Sequence, residues 1–153
     1  MKPRLNPYQA APDAMKALSA LESYVQSSGL DPSLIDLVKT RASQINGCAY
    51  CIHMHTREAR SRGETEERLY LLDAWRESPL YSERERAALA WTEAVTLVSE
   101  THVPDAVYEE VRGQFAPDEI VKLTLLVTTI NAWNRVAISL RAVHPTKAAH
   151  AAA

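Results

Sequence analysis

The segment formed by residues 117–143 limits the folds that are open to this chain, because it reads as one long helix that is apolar nearly all round. A helix without a polar face must be covered on every side. A chain of 153 residues can hardly cover so long a helix alone, so we expect a subunit interface on it. Its most apolar part, which threonines and Asn131 interrupt, is too short to span a bilayer.

The remainder of the chain also reads as a succession of helices. The sequence has only 4 glycines and no run of alternating apolar and polar residues, which argues against a sheet. Asp31-Pro32 and a capping box of Ser82 and Glu85 indicate helix starts, and Gly63 indicates a helix end. We predict an all-α, compact bundle of about seven helices. They cover residues 14–28, 32–45, 48–62, 66–75, 82–99, 104–113 and 117–143, and a frayed tail follows at 146–153.

The two cysteines form a C-x-x-C pattern at Cys48 and Cys51, and His55 follows four residues after the second. On a helix the three side chains share one face, with His55 about 6 Å along the axis from Cys51 and about 10 Å from Cys48. His55 can therefore contact Cys51 directly, which predicts Cys51 as the activated sulfur and Cys48 as the resolving one. Asn46 and Gly47 provide an N-cap and a turn, which would place both sulfurs at the positive end of the helix.

This pattern predicts a two-electron redox site. A thiol is a nucleophile only as the thiolate, which a helix start favours. His55 can serve as the base or as the cationic partner of the sulfur beside it. Two thiols at this spacing can close an internal disulfide, so Cys48 and Cys51 are expected to form a redox-active pair.

Two other interpretations of the cysteines carry less weight. They could be buried structural residues, since free cysteine is often buried. They could also bind zinc together with His53 and His55, but zinc sites usually take ligand pairs from two separate segments. His53 also lies about 200° round the helix from Cys51. We therefore expect no metal and no bound cofactor, and we expect His53 to lie at the surface or at an interface.

Composition excludes several classes of protein. Hydrophobic residues make up 46% and charged residues 24%, which is typical of one soluble globular domain over 1–153, with its core at about 15–143. A net charge of −2 gives no electrostatic case for binding nucleic acid or an anionic membrane. No N-terminal apolar stretch resembles a signal peptide, so we expect a cytoplasmic location. In that compartment a C-x-x-C pair is more often catalytic or metal-binding than structural.

Three polar residues interrupt the apolar surface of residues 117–143 at helical spacing, namely Asn131, Asn134 and Arg135. Buried polar groups have to be hydrogen-bonded, so we expect these residues to bridge helices or subunits. The alternative is that one of them lines the redox pocket.

Several segments together resemble a known family. They are residues 36–39, 41–51 and 54–55 around the cysteines, and later 91–94 and 130–135. In these segments the chain resembles the alkyl hydroperoxidase D-like (AhpD-like) group of the carboxymuconolactone decarboxylase superfamily, over about 15–143. The resemblance implies a helical fold that assembles into trimers or hexamers. It also implies a peroxidase in which Cys51 attacks peroxide, Cys48 resolves the sulfenic acid to a disulfide, and His55 is the base.

The chain departs from the family pattern at two positions. Asp36 stands twelve residues before the first cysteine, where the family has a glutamate in a proton relay, and Tyr50 stands where the best-known pattern has a histidine. Tyrosine shuttles protons poorly at neutral pH. We therefore expect a weaker or differently routed relay, with Glu93 as a substitute carboxylate. Alternatively, Asp36 forms an exposed pair on a polar helix face that it shares with Lys39, and Glu93 forms a cap or an interhelical ion pair.

Two functions remain open from the sequence. The first is a thiol peroxidase that reduces hydrogen peroxide or an organic hydroperoxide and is reduced again by a dithiol donor, such as a lipoyl-bearing or thioredoxin-like protein. The second is a protein disulfide reductase, or a redox-sensing and partner-binding module, without significant peroxide turnover. The decarboxylation that names the superfamily fits poorly, because a C-x-x-C pair points to redox chemistry. No nucleic acid or membrane partner is expected, and the protein is expected to be a homo-oligomer.

Overall fold

Every regular element in the described part of the chain, residues 2–145 of the computed structural model, is a helix. This confirms the predicted all-α class. The α-helices are α1 (Pro7–Ala10), α2 (Pro12–Gln26), α3 (Pro32–Asn46), α4 (Ala49–Ser61), α5 (Glu66–Leu71), α6 (Glu83–Thr96), α7 (Val98–Thr101), α8 (Asp105–Arg112) and α9 (Pro117–Leu140), and a 3₁₀ helix follows α5 at Leu72–Glu77. The predicted frayed tail, 146–153, lies outside the described residues.

Three elements differ from the prediction. The short α1 was not predicted; its N-cap is Asn6, whose side-chain oxygen accepts a hydrogen bond from the backbone N–H of Tyr8 at 3.0 Å. The predicted helix at 66–75 ends its α-helical part at Leu71 and continues as 3₁₀ turns over Leu72–Glu77 with a kink at Ala74, and both Leu72 and Trp75 are buried. The predicted helix at 82–99 ends at Thr96, and α7 follows it.

Helix α3 lies at the centre of the fold, where it packs against α4, α6 and α9. Its middle is buried on the polar side as well as the apolar side, since Asp36, Lys39, Thr40 and Ser43 are all buried together with Val38. The alternative for Asp36, an exposed pair on a polar face shared with Lys39, is therefore wrong. The reason is that α4 and α9 cover the side of α3 that a lone amphipathic helix would turn to solvent.

Helix α9 is covered largely by its own chain, because α2, α3, α4, α6 and α8 all pack against it. Leu123, Leu126 and Ile130 are fully buried. As expected, the chain does not cover every side of this helix, because Val121, Thr128 and Arg135 leave one side exposed. That side has few large apolar residues, and Val121 and Ile138 are the exposed ones. Although α9 is rich in apolar residues, no helix among residues 2–145 is long and apolar enough to cross a membrane.

We predict that Leu126→Ala lowers the free energy of unfolding by about 2–5 kcal/mol, because it leaves a cavity in the core. Val121→Ala is the matched truncation on the exposed side of the same helix. It should change the free energy of unfolding by about 0.5 kcal/mol or less if solvent covers that side. Chemical denaturation followed by circular dichroism measures both values. Equal effects of the two substitutions would contradict this placement of α9, or would show that a second subunit covers Val121.

The homo-oligomer stays a prediction, and the exposed side of α9 is now the surface on which we expect the interface. Val121→Asp should then lower the mass found by light scattering while the circular dichroism spectrum stays helical, because a charge opposes burial against a partner. A folded monomer of the unsubstituted protein at micromolar concentration would overturn the prediction.

Candidate functional site

The junction between α3 and α4 positions the two cysteines. Gly47 ends α3 with φ +67°, a left-handed conformation that glycine adopts without steric cost. Cys48 is itself the N-cap of α4, and its sulfur accepts a hydrogen bond from the backbone N–H of Cys51 at 3.4 Å. The predicted N-cap at Asn46-Gly47 is therefore wrong by one position, because these residues close α3 instead. Both sulfurs do lie at the start of the helix.

Polar residues of α9 hold this junction in place. The side-chain amide of Asn46 donates to the side-chain oxygens of Asn131 and Asn134, at 2.9 Å in both cases. Asn134 in turn donates to the hydroxyl of Ser43 at 3.0 Å. This confirms that Asn131 and Asn134 bridge helices, whereas Arg135 donates to Asn131 within α9 itself. The end of α3 is thus fixed against α9 next to the cysteines.

The two thiols titrate as a coupled pair, because their sulfurs lie 2.8 Å apart and one hydrogen bond joins them. The hydrogen bond from Cys51 lowers the pKa of Cys48 to about 7, and the backbone N–H at the cap and the amide of Asn134 act in the same direction. The same hydrogen bond, together with burial, raises the pKa of Cys51. The first ionisation of the pair is therefore favoured at Cys48, where the backbone N–H of the cap stabilises the thiolate, whereas the spacing of His55 predicted Cys51 as the sulfur that ionises.

Ionisation favours Cys48, but a cavity gives access to Cys51. The cavity, of about 580 Å³, is lined by Cys51 but not by Cys48, which is almost fully buried. Its apolar walls come from α2, α4 and α9, and its polar lining includes His55, Glu58, Lys39 and Glu22. A small molecule in this cavity would meet the sulfur of Cys51.

The N-terminal segment 3–8 forms another wall of the cavity. The backbone N–H of Arg4 donates to the carbonyl of Leu140 at 2.9 Å, and its guanidinium donates to the carbonyl of Ser139 at 3.0 Å. The last carbonyls of a helix have no partner within the helix, so this segment satisfies the end of α9. These hydrogen bonds hold the segment in place as a wall of the cavity beside the C-terminal end of α9.

His55 is paired with Glu58, one turn further along α4. Nδ1 of His55 lies 3.0 Å from Oε2 of Glu58, and this hydrogen bond holds the pKa of Glu58 below its usual value. A carboxylate can only accept, so Nδ1 carries the hydrogen and Nε2 of the neutral ring carries the lone pair. Nε2 is buried and has no hydrogen-bond partner among residues 2–145, and in that range no hydrogen bond joins His55 to either sulfur.

Sequence reasoning missed Glu58, although a signal was present. It lies three residues after His55 on the same helix, a spacing at which side chains are neighbours. The structure places Glu58, and not Asp36, against the histidine. Asp36 is paired with Arg62, and one of its oxygens has no partner among the described residues. Burial raises the pKa of Asp36 and outweighs the opposing effect of Arg62.

The two supporting residues have different positions. Tyr50 lines the cavity, as expected for a residue near the reacting sulfur. Glu93 does not, because it accepts hydrogen bonds from Arg41, Arg76 and the indole of Trp75 on another side of the fold. The structure therefore favours the alternative for Glu93, an interhelical ion pair, over a substitute relay carboxylate.

The residues considered for zinc do not converge. The ring of His53 stacks on that of His144, with centroids 4.6 Å apart, while His55 faces Glu58. Within residues 2–145, no three histidine, cysteine or acidic side chains lie together in an arrangement that could hold a metal ion.

The chain is similar to known proteins in both sequence and structure. The model of the carboxymuconolactone decarboxylase family matches residues 12–94. The uncharacterized protein YdfG of Bacillus subtilis is 43% identical over 140 residues, which cover 92% of this chain and 95% of YdfG. A solved structure from Agrobacterium tumefaciens, of a protein of unknown function assigned provisionally to AhpD antioxidant defence, is 50% identical. It superposes with a TM-score of 0.93 and covers 95% of this chain and 100% of that one.

A more distant structure shows the same fold. It is an uncharacterized peroxidase-related protein from Silicibacter sp. TM1040, 24% identical, with a TM-score of 0.78 over 94% of this chain and 75% of that one. The AhpD-like helical fold that the sequence resemblance implied is confirmed by these superpositions.

We predict that Glu58→Ala changes the tautomer of His55. In the unsubstituted protein, ¹⁵N NMR of the imidazole should show hydrogen on Nδ1 and a lone pair on Nε2, because the carboxylate accepts from Nδ1. Without the carboxylate, the spectrum should shift toward a mixture of tautomers. Glu67→Ala, which removes an exposed glutamate outside the cavity, should leave the tautomer unchanged. Retention of one tautomer in Glu58→Ala would contradict the assignment.

We also predict that the reduced thiol pair loses its first proton near pH 7. Because the folded protein lowers the pKa of Cys48, the thiolate should be absent well below pH 7 and present above it, which ultraviolet thiolate absorbance measures. Cys51→Ala removes the hydrogen bond between the sulfurs, so the midpoint should rise toward the usual value of about 8.5. A midpoint near 8.5 in the unsubstituted protein would be inconsistent with a coupled pair.

Proposed function

Because the chain belongs to the carboxymuconolactone decarboxylase family, and within it to the AhpD-like group, we propose that it is a thiol-dependent peroxidase. One observation carries the proposal: two thiols lie 2.8 Å apart, and one of these cysteines lines a cavity together with His55, whose Nε2 has no hydrogen-bond partner among residues 2–145. A nucleophile, a base and space for a small substrate are thus brought together.

The first step is ionisation of the thiol pair and attack on peroxide. Nε2 of His55 takes one proton from the pair, and Glu58 stabilises the resulting imidazolium. The remaining proton moves to Cys48, which leaves the thiolate on Cys51, the sulfur that faces the cavity. Cys51 is the nucleophile although Cys48 ionises more readily, because only Cys51 can contact a substrate in the cavity. The proton has to move only between two sulfurs that lie 2.8 Å apart. The sulfur bonds to the terminal peroxide oxygen, and the O–O bond breaks with its electron pair on the other oxygen. Cys51 becomes a sulfenic acid, and the leaving oxygen takes up a proton to form the alcohol, which balances the proton that His55 accepted.

The second step closes the disulfide. The sulfur of Cys48 attacks that of Cys51, its proton goes to the leaving hydroxide, and water is released. A disulfide has an S–S distance of about 2.05 Å, so the sulfurs need to approach by only about 0.8 Å from their separation of 2.8 Å. The net reaction converts two thiols and one hydroperoxide into a disulfide, an alcohol and water.

A dithiol donor must then reduce the disulfide. Both sulfurs are nearly fully buried, so the donor has to reach Cys51 through the cavity. A slender dithiol, such as a dihydrolipoyl group on a partner protein, fits this route better than the rigid surface of a thioredoxin-like protein. Burial also weighs against a general protein disulfide reductase, because a disulfide within a folded protein would have to enter the same cavity.

The experiment that tests the proposal mixes reduced protein with hydrogen peroxide or an organic hydroperoxide in quenched flow. We expect thiol loss at a second-order rate well above that of free cysteine at the same pH. Oxidation no faster than free cysteine, together with rapid reduction of added disulfides, would reject the peroxidase and support the disulfide reductase.

We predict that Cys51→Ser abolishes peroxide consumption, whereas Cys48→Ser still allows one oxidation without turnover. The reason is that only Cys51 lines the cavity, while Cys48 is needed to close the disulfide. Mass spectrometry after dimedone trapping should find a sulfenic acid on Cys51 in Cys48→Ser. A sulfenic acid on Cys48 in Cys51→Ser, with Cys51 unreactive in the other variant, would reverse the two roles.

A further inference from the structure

Lys39 is a charged residue in a position where charge is costly. Its side chain is only 1% exposed, although lysine is almost never fully buried unless it is paired. It lies on α3, between Asp36 and Ser43, and it lines the cavity that also exposes Cys51 and His55. Among residues 2–145, it is the only lysine or arginine that lines this cavity. The proposed mechanism described above does not use it.

Contacts from two other helices hold Lys39 in one orientation. Its ammonium donates to Oε1 of Glu22 on α2, which also accepts from Gln26 at 3.0 Å. The other oxygen of Glu22 accepts from the indole N–H of Trp133 on α9 at 3.2 Å. Burial raises the pKa of Glu22, but the hydrogen bond and charge of Lys39 outweigh it and leave the pKa below its usual value. Glu22 is thus a carboxylate, and Lys39 is its ammonium partner.

The ammonium retains donor capacity that the protein does not use. It has three N–H donors, and its hydrogen bond to Glu22 is the only one it makes among residues 2–145. Among the other groups that line the cavity in the described part of the chain, Tyr8 and Tyr50 can donate a hydrogen bond but cannot carry a positive charge. Glu22 and Glu58 are carboxylates, and Nε2 of His55 carries a lone pair. When the O–O bond breaks, the cavity therefore offers two cationic donors, the imidazolium that forms at His55 and the ammonium of Lys39, and only the ammonium is in place before the thiol pair ionises.

We infer that Lys39 is a further catalytic residue, whose ammonium stabilises and protonates the oxygen that leaves when Cys51 cleaves the O–O bond. This inference rests on the proposed peroxidase function. A preorganised donor aimed at developing charge in a water-poor site is among the largest contributions to catalysis. The buried ion pair with Glu22 holds this donor in place before the substrate arrives.

The proton balance closes with this assignment. The thiolate of Cys51 is oxidised to the sulfenic acid, and the O–O bond breaks with its electron pair on the alkoxide oxygen. Lys39 gives this oxygen a proton, which yields the alcohol and a neutral amine. The proton that His55 took from the thiol pair then returns the amine to ammonium through water that enters the cavity.

The test compares two oxidants of similar size with different leaving groups. tert-Butyl hydroperoxide releases an alkoxide, which needs stabilisation, whereas peroxyacetic acid releases acetate, which needs little. We expect Lys39→Met to slow single-turnover oxidation of Cys51 by tert-butyl hydroperoxide by about 100-fold, the usual effect of removing one such donor. The rate with peroxyacetic acid should change far less, so the ratio of the two rates should change by nearly the same factor.

Glu22→Gln is the matched control, because it breaks the same ion pair but retains the ammonium. It should lower both rates by a similar factor and leave their ratio close to that of the unsubstituted protein. If Lys39→Met is too unstable to fold, Glu22→Gln/Lys39→Met removes both charges, and the same change in ratio is expected. An equal loss with both oxidants in the folded lysine variants would overturn the inference and make Lys39 a structural residue. Oxidation of the unsubstituted protein by both oxidants no faster than free cysteine would instead reject the peroxidase itself.

Discussion

The structure depends on the burial of α3, a helix that carries charged and polar side chains into the centre of the fold. A buried polar group is costly unless it has a partner, and a buried charge more so. Each such side chain on α3 therefore binds a neighbouring helix or its own backbone: Asp36 binds Arg62, Lys39 binds Glu22, and Asn46 binds two asparagines of α9. These pairs fix how α2, α4 and α9 approach α3. The cavity lies where those helices meet.

The main electrostatic feature of the site is that one cysteine, Cys48, ionises more readily while the other, Cys51, faces the cavity. The cap geometry and the hydrogen bond from Cys51 favour the thiolate at Cys48, whereas the cavity meets Cys51. A thiolate that faced the cavity permanently would be open to any oxidant or alkylating agent. With the charge held one sulfur away, the reactive form of Cys51 arises by movement of a proton over a short distance.

The fold could be predicted well from the sequence because its signals are local. Proline at first turns, the capping box of Ser82 and Glu85, and the apolar pattern of α9 each act within a few residues, and each is present in the structure. The candidate site was predicted in part for the same reason, since Cys48, Cys51 and His55 lie on one short segment. Two local features were misjudged, Glu58 beside His55 and the N-cap at Cys48, and the other failures depend on contacts between distant segments. Asp36 and Lys39 looked exposed because the helices that cover them lie far away in sequence, and Glu93 was free to serve as a relay until its three partners were known.

The position of Cys48 at the start of α4 links redox state to helix stability. In the reduced protein its sulfur is the acceptor for the backbone N–H of Cys51, the position at which helices usually have an oxygen acceptor. A disulfide carries no negative charge and is a poor acceptor, so oxidation weakens that cap at the moment the bond forms. The first turn of α4 is therefore less firmly held in the oxidised protein than in the reduced one. Local loosening of this turn would bring the disulfide within reach of its reductant, and reduction would restore the cap and bury the thiols again.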